Sequence, residues 1–392
     1  KELPAFDHDL AISITGEDGI VYEIPVWRFI EKYMRIKDKS GHNSAFELNP
    51  AQINLYKRLC LQRRANKPMR VNILKARQLG FSTFISAIIF VLTIMVPNQT
   101  ACIVADIAEH ATNLFSKYKF YYDNLPKWLK NRLPEKRSNA KVLEVDYGKG
   151  QSSVIRVLVQ GENAGRSDTC QFLHLSEVAF WQDIEGTTTS ILQTVDDANP
   201  NSLIVYETTA NGVNYYKKLW DEDVANGAAG FEAIFFGWHL DPKHVYPYDG
   251  FDLFDWEKKI KEENKLSLEQ IAWYRTQYAK MRGNLLKLRQ EHPSNPIEAF
   301  IVSGSSVFNM ELLQEQKAKL IHVKPIKRGF FTYKKNVSQD GNNIQITDIK
   351  FIPSEEGEIK IYEMPNPNMP YVVSNDPAMG GEDYFAHQVI NN

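Results

Sequence analysis

Cysteine is scarce in this sequence, and an apolar run of membrane-spanning length is missing. The three cysteines, Cys60, Cys102 and Cys170, are scattered without paired spacing, which argues against a disulfide framework and a zinc site and favours a reducing, cytoplasmic compartment. The longest apolar run, Phe84–Val96, has 13 residues, too few to span a bilayer. The formal net charge is only −2, so nucleic-acid binding would depend on local basic patches. No signal peptide is visible and the chain begins at Lys1 without Met, so we expect a trimmed chain.

With 392 residues, the chain is long enough for two domains. Short apolar segments alternate with helical ones between residues 71 and 210, which predicts an α/β sheet covered by helices on both faces. The predicted strands are Val71–Leu74, Thr100–Ala105, Val154–Gln160, Phe172–Leu175 and Leu203–Tyr206. The predicted helices between them are Thr83–Met95, Ile107–Tyr122 and Ile184–Thr194. Upstream, Asn49 and Pro50 predict the N-cap and the first residue of another helix.

The pattern changes in the second half of the chain. Residues 241–300 are strongly charged and helical, with a capping box that begins at Ser267, and we expect a small helical lid there. Strands return after about residue 324, at Gly329–Tyr333, Asn343–Phe351, Glu358–Tyr362 and Tyr371–Ser374. We therefore expect one domain over residues 1–320 and a second over 321–392 that has barely begun where the sequence ends.

The stretch Lys75–Thr83 lies between a predicted strand and a buried helix, where a phosphate-binding loop belongs. Its Gly80 allows close approach of a phosphate, and the hydroxyl pair Ser82-Thr83 places a Mg²⁺ ligand at Ser82. Phe81 stands where such a loop normally has lysine, so the cation that reaches the phosphates would be Lys75 or Arg77. An ordinary strand-to-helix turn explains this segment equally well when it is taken alone.

Three further segments carry polar groups that suit a nucleotide. Glu177 follows an apolar strand and could orient or deprotonate the attacking water, although Ser176 replaces the usual preceding Asp. Thr208 and Thr209 end another strand, where they could sense the γ-phosphate, and Gln52 could bond both edges of adenine. The plain alternatives are a surface Glu, a Thr/Asn/Gly turn and a surface Gln.

Other side chains suggest an arginine finger, a nuclease and DNA contacts. Arg166 lies on a Gly-rich loop and could act in trans on a neighbouring subunit, or be a solvated charge. Asp376 and Asp383 resemble the opening of a two-metal nuclease site, which needs at least three carboxylates; an Asp-Pro turn and a loop acid are the alternative. Basic clusters at 117–137 and 63–70 could track a DNA backbone, or be solvated helix faces.

In this order, the motifs resemble the large terminase subunit of tailed bacteriophages. The matching stretches are Asn49–Gln52 (adenine motif), Lys75–Thr83 (a deviant P-loop with its lysine at the front), His174–Trp181 (second carboxylate motif), Thr208–Tyr216 (coupling motif), Glu291–Phe300 (the end of the ATPase domain) and Tyr371–Asp383 (the first nuclease strand). The resemblance implies an ASCE-type, RecA-like P-loop ATPase core with a helical lid, followed by the start of a ribonuclease-H-like (RNase H-like) nuclease.

The resemblance also implies an activity and partners. The implied protein is an ATP- and Mg²⁺-dependent motor that packages double-stranded DNA into a procapsid through the portal, with a Mg²⁺- or Mn²⁺-dependent nuclease that cuts concatemers. Its implied partners are the portal protein, the small terminase subunit and further copies in a ring, although the isolated chain would be a monomer. The implied place is the host cell cytoplasm, transiently docked on the procapsid, and no membrane is involved. In this scheme Thr208 and Thr209 couple hydrolysis to movement of the lid.

Two departures from the family and two alternatives remain. Ser176 stands in place of Asp, so Mg²⁺ would be held by Ser82, phosphates and waters, and most nuclease acids are missing, so the nuclease would be incomplete here. A superfamily-2-like helicase shares the glutamine motif and the α/β core, but it should carry helicase motifs in a second RecA-like domain. A non-hydrolysing nucleotide-binding scaffold would have Phe81 as the mark of a decayed loop.

Overall fold

The computed structural model describes most of the chain. The described residues are 9–38, 40–161, 169–227, 230–300, 312, 316, 319–320, 323–337, 344–364, 366–368, 370–376 and 386–391. The chain divides into two compact units, residues 1–318 and 319–392.

The first unit contains every helix that is named in this section and most of the strands. Its strands are β1 (Ala11–Thr15), β2 (Val21–Pro25), β3 (Arg35–Lys37), β4 (Asn43–Ala45), β5 (Met69–Lys75), β6 (Thr100–Ala105), β7 (Glu135–Ser138), β8 (Val142–Gly148), β9 (Gln151–Val159), β10 (Phe172–Ser176), β11 (Leu203–Thr208) and β12 (Glu232–Phe236). Its helices are α1 (Val26–Tyr33), α2 (Pro50–Arg64), α3 (Phe81–Ile94), α4 (Ala108–Asp123), α5 (Lys127–Arg132), α6 (Ile184–Leu192), α7 (Tyr215–Asn226), α8 (Asp255–Asn264), α9 (Leu268–Lys280), α10 (Leu285–Glu291) and α11 (Pro296–Ala299).

A mixed eight-stranded sheet forms the centre of this unit, in the order β12-β5-β11-β10-β6-β9-β8-β7. The strands from β12 to β9 are parallel, whereas β8 and β7 are added antiparallel at one edge. The five predicted strands and three predicted helices are confirmed, and so is the α/β class. The prediction did not contain β7, β8 and β12; β7 is fully exposed and β8 is only half buried, so neither has the continuous apolar run of a central strand.

Helices cover both faces of the sheet. Successive residues of a strand point to opposite faces, and accordingly Ile73 belongs to one apolar cluster and Leu74 to another. On the Ile73 face, α3 packs against α1 and α4 and is buried on almost every side, as expected for a helix that is apolar all round. The sheet therefore fixes the start of α3 next to the carboxyl ends of the central strands.

Residues 241–300 are helical, as predicted, and contain α8, α9, α10 and α11. The predicted capping box at Ser267 is confirmed, since its hydroxyl accepts from the Gln270 N–H and the Gln270 side chain reciprocates. Aromatic rings join this segment to the main sheet: Trp238, just after β12, stacks on Tyr274 with ring centroids 4.5 Å apart and on Trp273 at 5.2 Å. The interpretation of the segment as a lid stays a prediction.

The second unit is built from strands in its described part. Strands β13 (Lys327–Val337), β14 (Ile344–Pro353) and β15 (Ile359–Ile361) form an antiparallel sheet, and β16 (Tyr371–Asp376) pairs with β17 (Ala386–Asn391). The strands predicted here are confirmed. Asp376 is the last residue of β16, in register with Ala386, while Asp383 lies outside the described residues. The assignment to an RNase H-like nuclease stays a prediction.

Candidate functional site

The loop between β5 and α3 has the backbone geometry of a tight strand-to-helix turn. Gly80, the N-cap of α3, has φ +74°, and Gln78 has φ +65°. A Cβ on Gly80 would lie 3.0 Å from the Gln52 amide nitrogen, so both the backbone angle and the space favour glycine. Since glycine has no side chain to cap the helix, the first-turn N–H groups are suited to an anion.

Phe81 packs in the core. Its side chain is 1% exposed, and its ring lies 4.3 Å from the ring of Phe236 on the neighbouring strand β12. An ordinary P-loop lysine needs to reach forward from this position into the phosphate site. Position 81 therefore serves packing, and the cation of this loop is at its front.

Lys75, the last residue of β5, lies between two carboxylates. Its Nζ is 3.1 Å from Glu177 Oε1 and 3.3 Å from Glu207 Oε1. The Lys75 side chain is 7% exposed and that of Glu207 is fully buried. Burial alone would lower the pKa of Lys75, but the charges of Glu207 and Glu177 outweigh it and the net shift is upward. The loop cation is thus charged and already neutralised by protein groups.

Glu207, the second-last residue of β11, was not among the predicted site residues. Its Oε1 accepts a hydrogen bond from Ser82 Oγ at 2.7 Å, and its Oε2 lies 3.0 Å from His174 Nε2. Burial by itself would raise the pKa of Glu207; Lys75 and His174 act more strongly and lower it. Glu207 is therefore a buried, ionised carboxylate in direct contact with the loop lysine and the loop serine.

Glu177 adopts left-handed backbone angles, with φ 54° and ψ 44°, a conformation that is uncommon for a residue with a side chain and is often found at functional sites. Its Oε2 accepts from the Thr209 N–H at 3.2 Å, while Oε1 faces Lys75. The Thr208 hydroxyl lies 3.4 Å from Oε2 and donates more closely to the Thr209 carbonyl, at 2.6 Å. The Thr208 hydroxyl also accepts from the Ala179 N–H at 3.2 Å. The structure therefore places the predicted threonine pair against the loop that carries Glu177.

Arg77 contacts the helical segment 241–300. Its guanidinium pairs with the carboxylate of Glu291, at the end of α10, and its backbone N–H donates to the Glu291 carbonyl at 3.2 Å. The Arg77 side chain is 54% exposed. Arg77 thus lies beside the site and links the loop to α10.

Gln52 and Thr83 hold the loop from behind. Gln52 is 4% exposed; its Oε1 accepts from the Asn49 N–H in the capping box of α2, and its Nε2 donates to the Gly80 carbonyl at 3.0 Å. The N-cap and Pro predicted at Asn49 and Pro50 are confirmed. The Thr83 carbonyl accepts from the Tyr121 hydroxyl at 3.0 Å. The adenine role of Gln52 stays a prediction, and its observed partners are loop and helix backbone.

These residues surround an open cleft of about 400 Å³ at the carboxyl ends of the central strands. The predicted residues Lys75, Arg77, Ser82, Glu177 and Thr209 line it, together with Gln78, Phe180, and the hydrogen-bonded Asp106 and His110. Two larger grooves, of about 930 and 910 Å³, lie along the β1–β2 hairpin and α1, and around the starts of β5 and β12. Ligands of open α/β sheets bind outside the carboxyl ends of the strands, so the smaller cleft is the candidate site.

The predicted basic clusters have several internal partners. Arg64 pairs with Asp9 at 2.6 Å, and Lys136 pairs with Glu144 at 2.9 Å. Lys117 is half-buried; burial lowers the pKa of Lys117, while Glu207 is the strongest charge that acts in the opposite direction. Lys117 therefore lies partly inside the protein rather than on a fully solvated helix face.

Some predictions concern residues or properties other than the geometry of the cleft. Arg166 is outside the described residues, so its proximity to the cleft stays a prediction. Among the residues that the structure describes, no group of three or more His, Cys, Asp or Glu side chains could hold a metal ion by itself. None of the described helices is both long and apolar enough to cross a bilayer.

Solved structures that are similar to this chain include those of large terminases. No family model matches the chain. The solved ATPase domain of the Thermus phage P74-26 large terminase is 17% identical, with a TM-score of 0.41 over 63% of this chain and 98% of that one. The HK97 bacteriophage large terminase is 14% identical, with a TM-score of 0.49 over 84% of this chain and 66% of that one. The large terminase of a thermophilic bacteriophage, solved with ATP-γ-S, is 12% identical, with a TM-score of 0.35 over 55% of this chain and 49% of that one. These structures are of the protein class that the sequence motifs resemble.

Proposed function

We propose that the cleft binds ATP with Mg²⁺ and hydrolyses the nucleotide. The observation that carries this proposal is the contact of Lys75 with Glu177 and Glu207, beside Ser82 at the start of α3. The four groups come from β5, the loop after β10, the end of β11 and a helix N-terminus, so the fold brings them together from distant parts of the sequence. A cation, a hydroxyl for the metal and a carboxylate for water are the parts that phosphoryl transfer to water requires.

The front of the loop would receive the phosphates. Lys75 would exchange its carboxylate partners for the β- and γ-phosphates, and the N–H groups at the start of α3 would contact the same oxygens. Ser82 fits a Mg²⁺ ligand, because it donates its proton to Glu207 and its oxygen lone pairs remain for a cation. Bound there with the nucleotide, Mg²⁺ would neutralise the charge that develops on the phosphates.

Glu177 would activate the water. The Thr209 N–H holds one of its oxygens, with the Thr208 hydroxyl 3.4 Å from it, and the other oxygen faces the cleft next to Lys75. Once Lys75 turns to the phosphates, that second oxygen can accept a proton from a water in line with the γ-phosphate. The threonine pair would thereby position the base and couple its state to the segments that follow.

In the wider proposal, the chain is the ATPase part of a motor that moves double-stranded viral DNA into a procapsid. The ordered sequence motifs support this, and the partners would be the portal protein, the small terminase subunit and neighbouring copies in a ring. Arg166 would act as a finger on the site of the next copy, so the isolated chain should hydrolyse ATP slowly. Asp376 and Asp383 would hold Mg²⁺ or Mn²⁺ in a nuclease site. The motor would work in the host cytoplasm, docked on the procapsid.

The test is steady-state ATPase activity together with binding of a fluorescent ATP analogue. We expect Glu177→Gln to bind the analogue about as well as wild type and to hydrolyse ATP about 10²- to 10⁴-fold more slowly, as for loss of a general base. Lys75→Ala and Arg77→Ala should slow hydrolysis and, unlike Glu177→Gln, should also weaken binding of the analogue. Glu262→Gln, the same change at an exposed position of α8, is the matched control and should behave as wild type.

Two results would contradict these roles. Full activity in Lys75→Ala would remove the assignment of the phosphate-binding lysine, and full activity in Glu177→Gln would remove that of the base. Binding of ATP without turnover in the wild type, even with procapsid, portal protein and DNA present, would favour the non-hydrolysing scaffold. Packaging itself is measured by protection of DNA from DNase, and cleavage by loss of Mn²⁺-dependent cutting in Asp376→Ala.

A further inference from the structure

Position 176 lacks the acid that the second carboxylate motif normally has there. Ser176 ends β10, is 5% exposed and carries a hydroxyl, which supplies no negative charge near a metal. The strand beside it does supply one, since Ser176 and Glu207 are register partners on the parallel strands β10 and β11. Register partners on neighbouring strands have side chains on the same face of the sheet. The charge missing from one strand is therefore present one strand away, at the same level.

The contacts of Glu207 point toward the phosphate-binding loop. Its Oε1 accepts the Ser82 hydroxyl at 2.7 Å and lies 3.3 Å from Lys75 Nζ. Its Oε2 lies 3.0 Å from the Nε2 atom of His174, which is two residues before Ser176 on β10. The Glu207 carboxylate is thus contacted by Lys75, by Ser82 and by His174 of β10, the strand that lacks the acid.

A serine that serves Mg²⁺ must present oxygen lone pairs to the cation and direct its proton elsewhere. Glu207 provides the acceptor for that proton, and its negative charge adds to the attraction of a nearby divalent cation. A Mg²⁺ ion that arrives with a nucleotide keeps several waters and needs only one or two carboxylates from the protein.

We propose that Glu207 supplies from β11 the charge that position 176 lacks, as a positioning residue that orients Ser82 toward nucleotide-bound Mg²⁺. This inference rests on the proposed ATPase function. A purely structural role for Glu207, as the buried counter-charge of Lys75, makes a different prediction. It would affect nucleotide binding equally with and without metal.

The experiment measures how much Mg²⁺ strengthens the binding of fluorescently labelled ADP, as the ratio of its Kd in EDTA to its Kd in Mg²⁺. We expect Glu207→Gln to reduce the Mg²⁺ effect by about 10- to 100-fold, the usual cost of losing a group that orients a metal ligand. Binding in EDTA should be as tight as in wild type or tighter, because a negative charge beside the phosphates is gone. Lys75 retains Glu177 at 3.1 Å, so the substitution leaves it with a partner.

Two further variants complete the design. Glu262→Gln is the matched control, because it makes the same change at an exposed position of α8 outside the cleft, and it should keep the wild-type Mg²⁺ effect. Ser176→Asp/Glu207→Gln returns the charge to β10 and should regain most of the Mg²⁺ effect. All chains are measured below the onset of their thermal unfolding.

The outcomes separate this inference from the proposed function. Wild type that binds labelled ADP neither with nor without Mg²⁺ would refute the nucleotide site itself. Wild type with a clear Mg²⁺ effect that Glu207→Gln retains would overturn only the role of Glu207. If Glu207→Gln weakens ADP binding equally with and without metal, Glu207 has a structural role and the inference is overturned. A folded Ser176→Asp/Glu207→Gln variant that does not recover the Mg²⁺ effect would overturn it too.

Discussion

Removal of the Lys75 amine should destabilise the protein in the absence of any nucleotide. The Lys75 Nζ lies 3.1 Å from Glu177 and 3.3 Å from Glu207, whose side chain is fully buried. Lys75→Ala leaves that buried charge with His174 and Ser82 as its polar contacts. Breaking a buried ion pair by removing one partner costs about 3–5 kcal/mol. We expect Lys75→Ala to lose about that much free energy of unfolding.

The cause of the loss can be isolated by removing the stranded charge as well. In Lys75→Ala/Glu207→Gln no unpaired carboxylate stays buried, and Glu177, whose side chain is 26% exposed, can be solvated. The double variant should therefore recover most of the stability and retain a deficit of about 1–2 kcal/mol from imperfect hydrogen bonds. The non-additivity of the two substitutions measures the coupling of the pair. ATPase activity should not recover with the stability.

Urea denaturation at neutral pH, followed by tryptophan fluorescence, measures these differences. The control is Lys136→Ala, which breaks an ion pair with Glu144; the Lys136 side chain is 50% exposed, and solvent-exposed ion pairs contribute little to stability. Its loss should therefore be far smaller than that of Lys75→Ala. A Lys75→Ala chain as stable as this control would refute the view that Lys75 neutralises a buried charge. A double variant less stable than Lys75→Ala would refute the mechanism.

Three other substitutions test separate parts of the site. Phe81→Lys restores the usual loop lysine in sequence but removes a ring that packs on Phe236; we expect a loss of at least about 3 kcal/mol in urea denaturation, and wild-type stability would contradict the packing role. Gln52→Ala removes the capping box and the bond to Gly80 at a cost of about 1 kcal/mol, and unchanged preference for ATP over GTP would contradict its adenine role. Burial raises the pKa of Asp223 to about 6 from 3.8, so the folded state binds its proton more tightly than the unfolded state and stability falls as pH rises from about 4 to 6. Asp223→Asn should therefore be more stable than wild type by about 1–2 kcal/mol at neutral pH and equal to it below about pH 4; a difference independent of pH would refute this.

Local patterns predicted the parts of the fold and site that depend on local sequence. Apolar runs gave the central strands, and cap residues gave the starts of helices at Asn49 and Ser267. The front position of Lys75 followed from its place at a strand end. Glu207 could not be found in this way, because its importance depends on β11 lying beside β10 in register. Strand β8 depends likewise on pairing with β9, and the edge strand β7 on pairing with β8, which the sequence of each segment does not encode alone.

The carboxylate partners of Lys75 and Arg77 suggest how phosphate binding at the loop would change contacts in other parts of the protein. Lys75 and Arg77 are both neutralised by carboxylates, so a phosphate bound by either side chain would compete with its carboxylate partner and can exchange with it. For Lys75 the exchange frees Glu177, which Thr208 and Thr209 hold in the cleft. For Arg77 the exchange breaks its pair with Glu291 at the end of α10, and thus loosens a contact between the loop and the helical segment 241–300. The observed contacts of the threonine pair lead to Glu177, the proposed base, whereas the direct connection from the loop to the helical segment runs through Arg77. We therefore expect phosphate occupancy to reach that segment through Arg77 and the threonine pair to set when the base can act.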